Sequence, residues 1–249
     1  MSSEVKANKL SPATGTDVTL GDSGDTFTIP SGATIDASAA TATGFDSGLA
    51  SVQTFTSSGT WTRPSGITKV IMEVQGAGGS GSGSPNGEDC NGGGAGGYAK
   101  KFLDVSSIST STITVGAGGA GVTGGTGGVV NGGNAGGASS WADGTNTVTG
   151  NGGTGGSLSH YAGTEGATAT GGDINIKGGS GYQILGSYGG FRGGSSILGN
   201  GGMGKYVGRG TSGWPPSGYG AGSGSVFNDS GSYTSDTGGA GIVIVWEYK

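Results

Sequence analysis

The nearest approach to a known chemical motif is Gly199-Asn200-Gly201-Gly202-Met203-Gly204-Lys205-Tyr206, one residue away from the phosphate-binding loop G-x-x-x-x-G-K-[ST]. Tyr206 stands where a magnesium-binding hydroxyl is needed, and Val207-Gly208-Arg209-Gly210 cannot start the helix that must follow. With 64 glycines in 249 residues, such matches arise from composition alone, and so do the many G-x-G-x-x-G strings. His160 has no Ser or Cys partner identifiable by motif, and Glu88-Asp89-Cys90 falls in a Gly-rich turn where carboxylates face solvent. Asp22 and Asp25 suit a turn better than a cation site, and the calcium-binding nonapeptide repeat is absent. Polysaccharide cleavage needs two converging carboxylates. Asp143, Glu165, Asp173 and Asp229 are available, but no motif pairs them. The expectation is a protein that is not an enzyme and has no cofactor or resident metal.

Residues suited to recognition are more conspicuous. Tyr182, Tyr188 and Phe191 cluster with Arg192; Lys205, Tyr206, Arg209, Trp214 and Tyr219 follow; Phe227 and Tyr233 come last. They sit between glycine runs, with Pro215-Pro216 and Asn, Asp and Ser around them, as loop tips do. Tyr-, Ser-, Gly- and Asn-rich loops recognise surfaces with large contact area and few rotors. All eleven are candidate receptor-binding residues, the three cations being suited to anionic glycans. Capping the gaps between side-chain-free segments is the alternative role for the aromatics.

The elements that must position these residues are unusual. Only 11 % of residues are charged, which argues against a disordered, charge-rich chain, and the glycines are in register. Over Gly116 to Gly128, positions 116, 119, 122, 125 and 128 are Gly except Val122, and positions 118, 121, 124 and 127 are all Gly. The remaining frame, Ala117, Ala120, Thr123 and Thr126, carries the side chains. Period three is that of the polyproline II helix, which has no internal hydrogen bonds. Two bare faces let such helices approach and bond one another, satisfying a backbone that is costly to bury unpaired. Related pieces recur at 92–97, 132–137, 152–156 and 199–202. A polyglycine-II bundle with display loops over 116–238 is therefore expected.

The flanking sequence reads as antiparallel β. Val52–Thr56, Lys69–Gln75, Tyr98–Val105 and Ser111–Val115 are strand candidates, and the apolar Gly241–Tyr248 must return to the sheet begun near residue 52. Residues 51–249 are thus one glycine-rich domain, its β-sandwich strands drawn from 51–115 and 241–248. Residues 1–50 hold only the short alternating pairs Val18/Leu20 and Phe27/Ile29, too little core for a monomeric domain. That segment is expected to be a small trimeric β neck. The fold class is all-β, with essentially no α-helix.

Several classes are excluded. The longest strongly apolar run, Ile242 to Trp246, is far short of a membrane span, so no membrane insertion is expected. MSSEVKANKLSP has no apolar core of a signal peptide, and the lone Cys90 fits assembly in a cytoplasm. A net charge of −5 with no basic stripe gives no reason for nucleic-acid binding.

Three segments carry a resemblance. Thr54-Phe55-Thr56-Ser57-Ser58-Gly59-Thr60-Trp61-Thr62-Arg63-Pro64, Val70-Ile71-Met72-Glu73-Val74-Gln75-Gly76-Ala77-Gly78-Gly79 and Gly238-Gly239-Ala240-Gly241-Ile242-Val243-Ile244-Val245 resemble the glycine-rich domain of bacteriophage tail-fibre proteins. Thr16 to Thr34 is similar to the opening of marine phage fibre proteins. The resemblance implies a β-sandwich with Gly-rich insertions, stacked polyglycine-II helices, and host recognition through loops at the bundle end. It transfers no catalytic residue. It implies a homotrimeric virion attachment protein of the tail fibre or fibre tip. Such a protein would be assembled in the host cytoplasm and held to other tail proteins through its N-terminal segment. Its receptor would be a bacterial surface glycan or outer-membrane protein. A structural role as fibre adaptor or spacer is the alternative, and ice binding through Thr/Ala faces is a third reading.

Overall fold

The computed structural model describes residues 48–84, 90–124, 131–158, 164–183, 191–207, 214–228 and 233–249, with 14, 26, 28 and 30–34 near the N-terminus. The side chains of residues 84, 183, 206, 207, 227 and 228 are outside that description. The chain divides into two compact units, Met1–Asp46 and Ser47–Lys249. In the first, Ala33 N donates to Pro30 O at 3.1 Å, closing a turn through Gly32. Val18, Leu20, Asp22, Asp25, Phe27 and Ile29, on which the neck expectation rests, are outside the described residues.

The second unit is all-β, with no helix among the described residues. Its strands are β1 (Leu49–Phe55), β2 (Gly59–Thr62), β3 (Lys69–Gln75), β4 (Gly83–Ser84), β5 (Tyr98–Asp104) and β6 (Thr110–Thr114). They continue as β7 (Ser139–Ala142), β8 (Thr147–Gly150), β9 (Ala169–Thr170), β10 (Ile174–Ile176), β11 (Tyr182–Gln183) and β12 (Phe191–Arg192). The series ends with β13 (Gly199–Asn200), β14 (Lys205–Val207), β15 (Ser217–Gly218), β16 (Val226–Asn228) and β17 (Ile242–Tyr248).

Two five-stranded antiparallel sheets, ordered β1-β17-β3-β5-β10 and β2-β6-β7-β8-β9, share one core. Alternation explains it: Val70, Met72 and Val74 of β3 and Val243 and Val245 of β17 point inward and are fully buried. They meet Trp61, Ile113, Trp141 and Val148 from the other sheet. The Trp61 and Trp141 rings lie 4.8 Å apart at 50°. The C-terminal strand returns to β1, as its apolar alternation requires, and inserts between β1 and β3 with Val243 opposite both Phe55 and Val74. The sandwich is not confined to 51–115 and 241–248, however. β7, β8, β9 and β10 come from within 116–238 and complete both sheets. Their short alternating runs are interrupted by so much glycine that composition hides them.

Beyond the sandwich, the chain runs up and down in extended glycine-rich segments bonded to one another. Segment 76–83 shows the rule. Gly76, Gly79 and Ser82 donate to Gly97, Gly94 and Asn91, while Ala77, Ser80 and Gly83 donate to Gly137, Asn134 and Asn131. In these two frames every third N–H points at the same neighbour; in the third frame Gly78 donates to Gly239 O and Gly81 to Ser223 Oγ. Segment 76–83 bonds to segments 90–97, 116–124, 131–138, 151–158, 219–228 and 233–241. Segment 90–97 is likewise surrounded by 76–83, 151–158, 164–168, 177–182, 191–196 and 219–228. Glycine is required where backbones touch: a Cβ on Gly79 would overlap the Thr154 carbonyl oxygen, and one on Gly93 would overlap that of Gly79. Interior positions that carry side chains use the smallest, Ala77, Ser80, Ala95, Ala221 and Ser223, all fully buried. In segment 116–124, the side-chain frame Ala117, Ala120 and Thr123 is exposed, while Gly116, Gly119 and Gly124 are buried.

Candidate recognition site

Topology assembles the candidate region. Residues 76, 97, 116, 138, 151, 168, 177, 219 and 241 lie where the glycine segments join or approach the sandwich, because most adjoin its strands directly. At the opposite, distal end Ser84 is the register partner of Phe227, Gly83 that of Asn131 and Val207 that of Asn228, and Gly124 N donates to Tyr233 O. Glu88, Asp89, His160, Tyr188, Arg209 and Asp229 lie outside the described residues.

Register then sorts the candidates. Tyr182 of β11 pairs with Arg192 of β12, Arg192 bridges to Met203, and Met203 bridges to Trp214. Four adjacent segments thus set Tyr182, Arg192, Met203 and Trp214 in one row. Trp214 is 65 % exposed and Tyr182 47 %, Arg192 is exposed and Met203 half-buried. At about 4.8 Å per neighbouring strand, the row is about 14 Å long. Beside it opens a cleft of about 360 Å³, lined by Ser196, Ile197, Leu198, Asn200 and Ser217. Asn200 pairs with Ser217 three residues along the same two segments that carry Met203 and Trp214, about 9 Å from the row at about 3.1 Å per residue.

Other candidates are placed differently. Phe191 is buried with Cys90 and fills the array, so it belongs to the capping role and not to the surface. Tyr219 is half-buried at the sandwich end, where its carbonyl accepts from Ser196 Oγ, far along the segment from Trp214. Tyr206 and Phe227 are register partners on parallel strands β14 and β16 at the distal end. Tyr233 is 45 % exposed at that same end, with its carbonyl accepting from Gly124 N.

The charges divide as clearly. Lys205 Nζ donates to Asp236 Oδ1 at 3.0 Å, so the lysine of the phosphate-loop lookalike is neutralised by a carboxylate of segment 233–241. Lys177 Nζ is paired with Glu165 Oε2 at 2.9 Å. Among the described residues of the array, Arg192 is the cation without an ion pair. The carboxylates have local duties. Asp173 Oδ2 accepts from Phe102 N at 2.8 Å, and this bond holds its carboxyl below the ordinary range. Burial pushes Asp143 up, but the N–H groups of Asn146 and Thr145 outweigh it and leave that carboxyl low. Burial raises Tyr98 far above its ordinary value, and nearby Glu73 adds to the effect. No group of three or more His, Cys, Asp or Glu able to hold a metal occurs among the described residues.

Sequence reasoning missed Met203, Ser196, Asn200 and Ser217. A faint signal existed: Tyr182, Arg192, Met203 and Trp214 recur every ten or eleven residues, the length of one passage along the array.

The second unit is thus an antiparallel sandwich that extends into a laterally bonded glycine array. The chain belongs to the glycine-rich domain family, which matches residues 50–248. No curated protein matches it significantly.

Proposed function

We propose that this protein is a phage tail-fibre or fibre-tip receptor-binding protein that attaches the virion to the bacterial surface. The observation that carries the reading is the row of exposed Tyr182, Arg192 and Trp214 on the flank of a laterally bonded array. A scaffold whose interior is backbone leaves recognition to its outer surface, and sequence can vary there without disturbing the packing. The array is best read as polyglycine II. Hydrogen-bond donors that rotate with period three, and interior segments with six neighbours, support that reading. The N-terminal unit is the proposed neck of a homotrimer and its link to other tail proteins.

A purely structural spacer would need neither an exposed Trp214 nor an exposed Arg192 beside it. Ice binding draws less support, because Thr123 Oγ1 is engaged by Thr234 Oγ1 at 2.6 Å and is not free to order water. The test is fluorescently labelled full-length protein on a panel of marine Gram-negative bacteria, with antibody labelling of virions. Decoration of susceptible cells and label at the fibre tip are expected. A protein that stains no strain, or that is covered by other chains in the virion, overturns the reading.

A further inference from the structure

We infer that the row Tyr182–Arg192–Met203–Trp214, with its adjoining cleft, is a binding site for an acidic saccharide; this rests on the attachment reading above and names its ligand class. Three independent features converge. First, Trp214 at 65 % exposure and Tyr182 at 47 % offer ring faces at the two ends of the row. Exposed aromatic faces stack on the apolar C–H faces of pyranose rings and cost little side-chain entropy to fix. Second, Arg192 lies between them with no ion pair among the described residues, whereas Lys177 and Lys205 are neutralised by Glu165 and Asp236. A guanidinium presents a planar fork of donors that matches a carboxylate or phosphate oxygen pair. Third, the cleft presents Ser196, Asn200 and Ser217, whose hydroxyl and amide groups suit sugar hydroxyls.

Dimensions agree with a short oligosaccharide and not with a single sugar. The row spans about 14 Å across four segments, and the cleft begins about 9 Å further along two of them at about 3.1 Å per residue. A ligand seated here puts its acidic group at Arg192, one ring against Trp214 and its hydroxyls in the cleft. The surface is rigid before binding, since Met203 N and Trp214 N donate reciprocally to each other's carbonyls at 2.9 and 3.1 Å. Little ordering is then needed when the ligand arrives.

The experiment uses the full chain on immobilised acidic bacterial polysaccharides, each presented native, carboxyl-reduced and dephosphorylated. Binding to at least one native polysaccharide is expected, with loss of tenfold or more when its acidic group is removed; the treatment that removes binding identifies carboxylate or phosphate. Arg192→Gln and Trp214→Ala should each weaken binding about tenfold or more, while Arg192→Lys retains part of it, because a charged hydrogen bond and a stacked ring each contribute at that scale. Thermal unfolding unchanged in these variants shows that the loss is not a folding defect. Binding that survives Arg192→Gln, or that is equal on neutralised polysaccharide, overturns the inference. So does wild-type protein that decorates cells yet ignores every polysaccharide, while leaving the attachment reading intact. Failure to decorate any cell instead sinks the attachment reading itself.

Discussion

Trp61, on the inner face of one sheet, donates its indole Nε1 proton to Glu247 Oε1, on the inner face of the other, at 2.7 Å. The same carboxyl group accepts from Gln53 Nε2 at 2.7 Å and from Ser51 Oγ. Glu247 is fully buried, so one side chain of the C-terminal strand ties β1 and β2 to β17. Glu247→Ala would strand the fully buried Trp61 donor away from water, and a loss of about 2 kcal/mol is expected. Glu247→Gln keeps an acceptor oxygen and should lose less. Urea unfolding monitored by tryptophan fluorescence checks this; an alanine variant with the wild-type midpoint would dismiss the clip.

The array predicts opposite responses at neighbouring glycine and non-glycine positions. Gly93→Ala places a Cβ against the Gly79 carbonyl and should destabilise by about 1–3 kcal/mol through overpacking, with reduced soluble yield. Ala120→Thr, in the exposed frame, should stay within about 0.5 kcal/mol of wild type. Equal melting temperatures for the two variants would contradict the bonded-array account.

Cell attachment should depend on the array's exposed row and not on the sandwich. The combined variant Tyr182→Ala, Trp214→Ala is expected to lose most cell labelling without a change in melting temperature. Thr112→Ala, exposed on β6 of the sandwich, should label cells like the wild type. Flow cytometry with labelled protein decides, and a reversed ranking would move the recognition surface elsewhere.

Acid should weaken the second unit. Asp143 Oδ1 accepts from Thr145 N at 2.9 Å and Asn146 N at 2.7 Å in the turn between β7 and β8, where Gly144 has φ of 92°. Its folded pKa is depressed, as are those of Asp104, through Ser106, and Asp173, through Phe102 N. For such groups the stabilisation is complete above the unfolded-state value of about 3.9. It is lost as pH falls through the lower folded-state value. The urea midpoint should therefore hold from pH 7 to about 5 and drop below about 4, with a shallower drop in Asp143→Asn. A midpoint that rises on acidification would reverse the sign.

Oligomeric state supplies a separate check. The full chain is expected to have the mass of a trimer in solution, and a chain starting at Ser47 that of a monomer retaining its β-rich circular dichroism. A monomeric full chain would remove the trimeric neck.

Sequence by itself determined the kind of packing. Two bare frames in three along 116–124 told which positions face other backbones, and the exposure of Ala117, Ala120 and Thr123 agrees. The alternation in Lys69–Gln75 and Ile242–Tyr248 told which residues form the core and that the last strand must rejoin the first. What it left open was which segment lies beside which. Glycine segments bond through backbone groups that are alike in every copy, so no side chain marks the neighbour, and the order is settled by the whole array closing at once. For that reason Tyr182, Arg192 and Trp214 could be named as candidates but not joined, Met203 was overlooked between them, and the burial of Phe191 against Cys90 was not legible. Lys205 carried the same ambiguity. Its charge is visible in the sequence, but the carboxylate that neutralises it lies 31 residues away, brought near only by the tertiary fold.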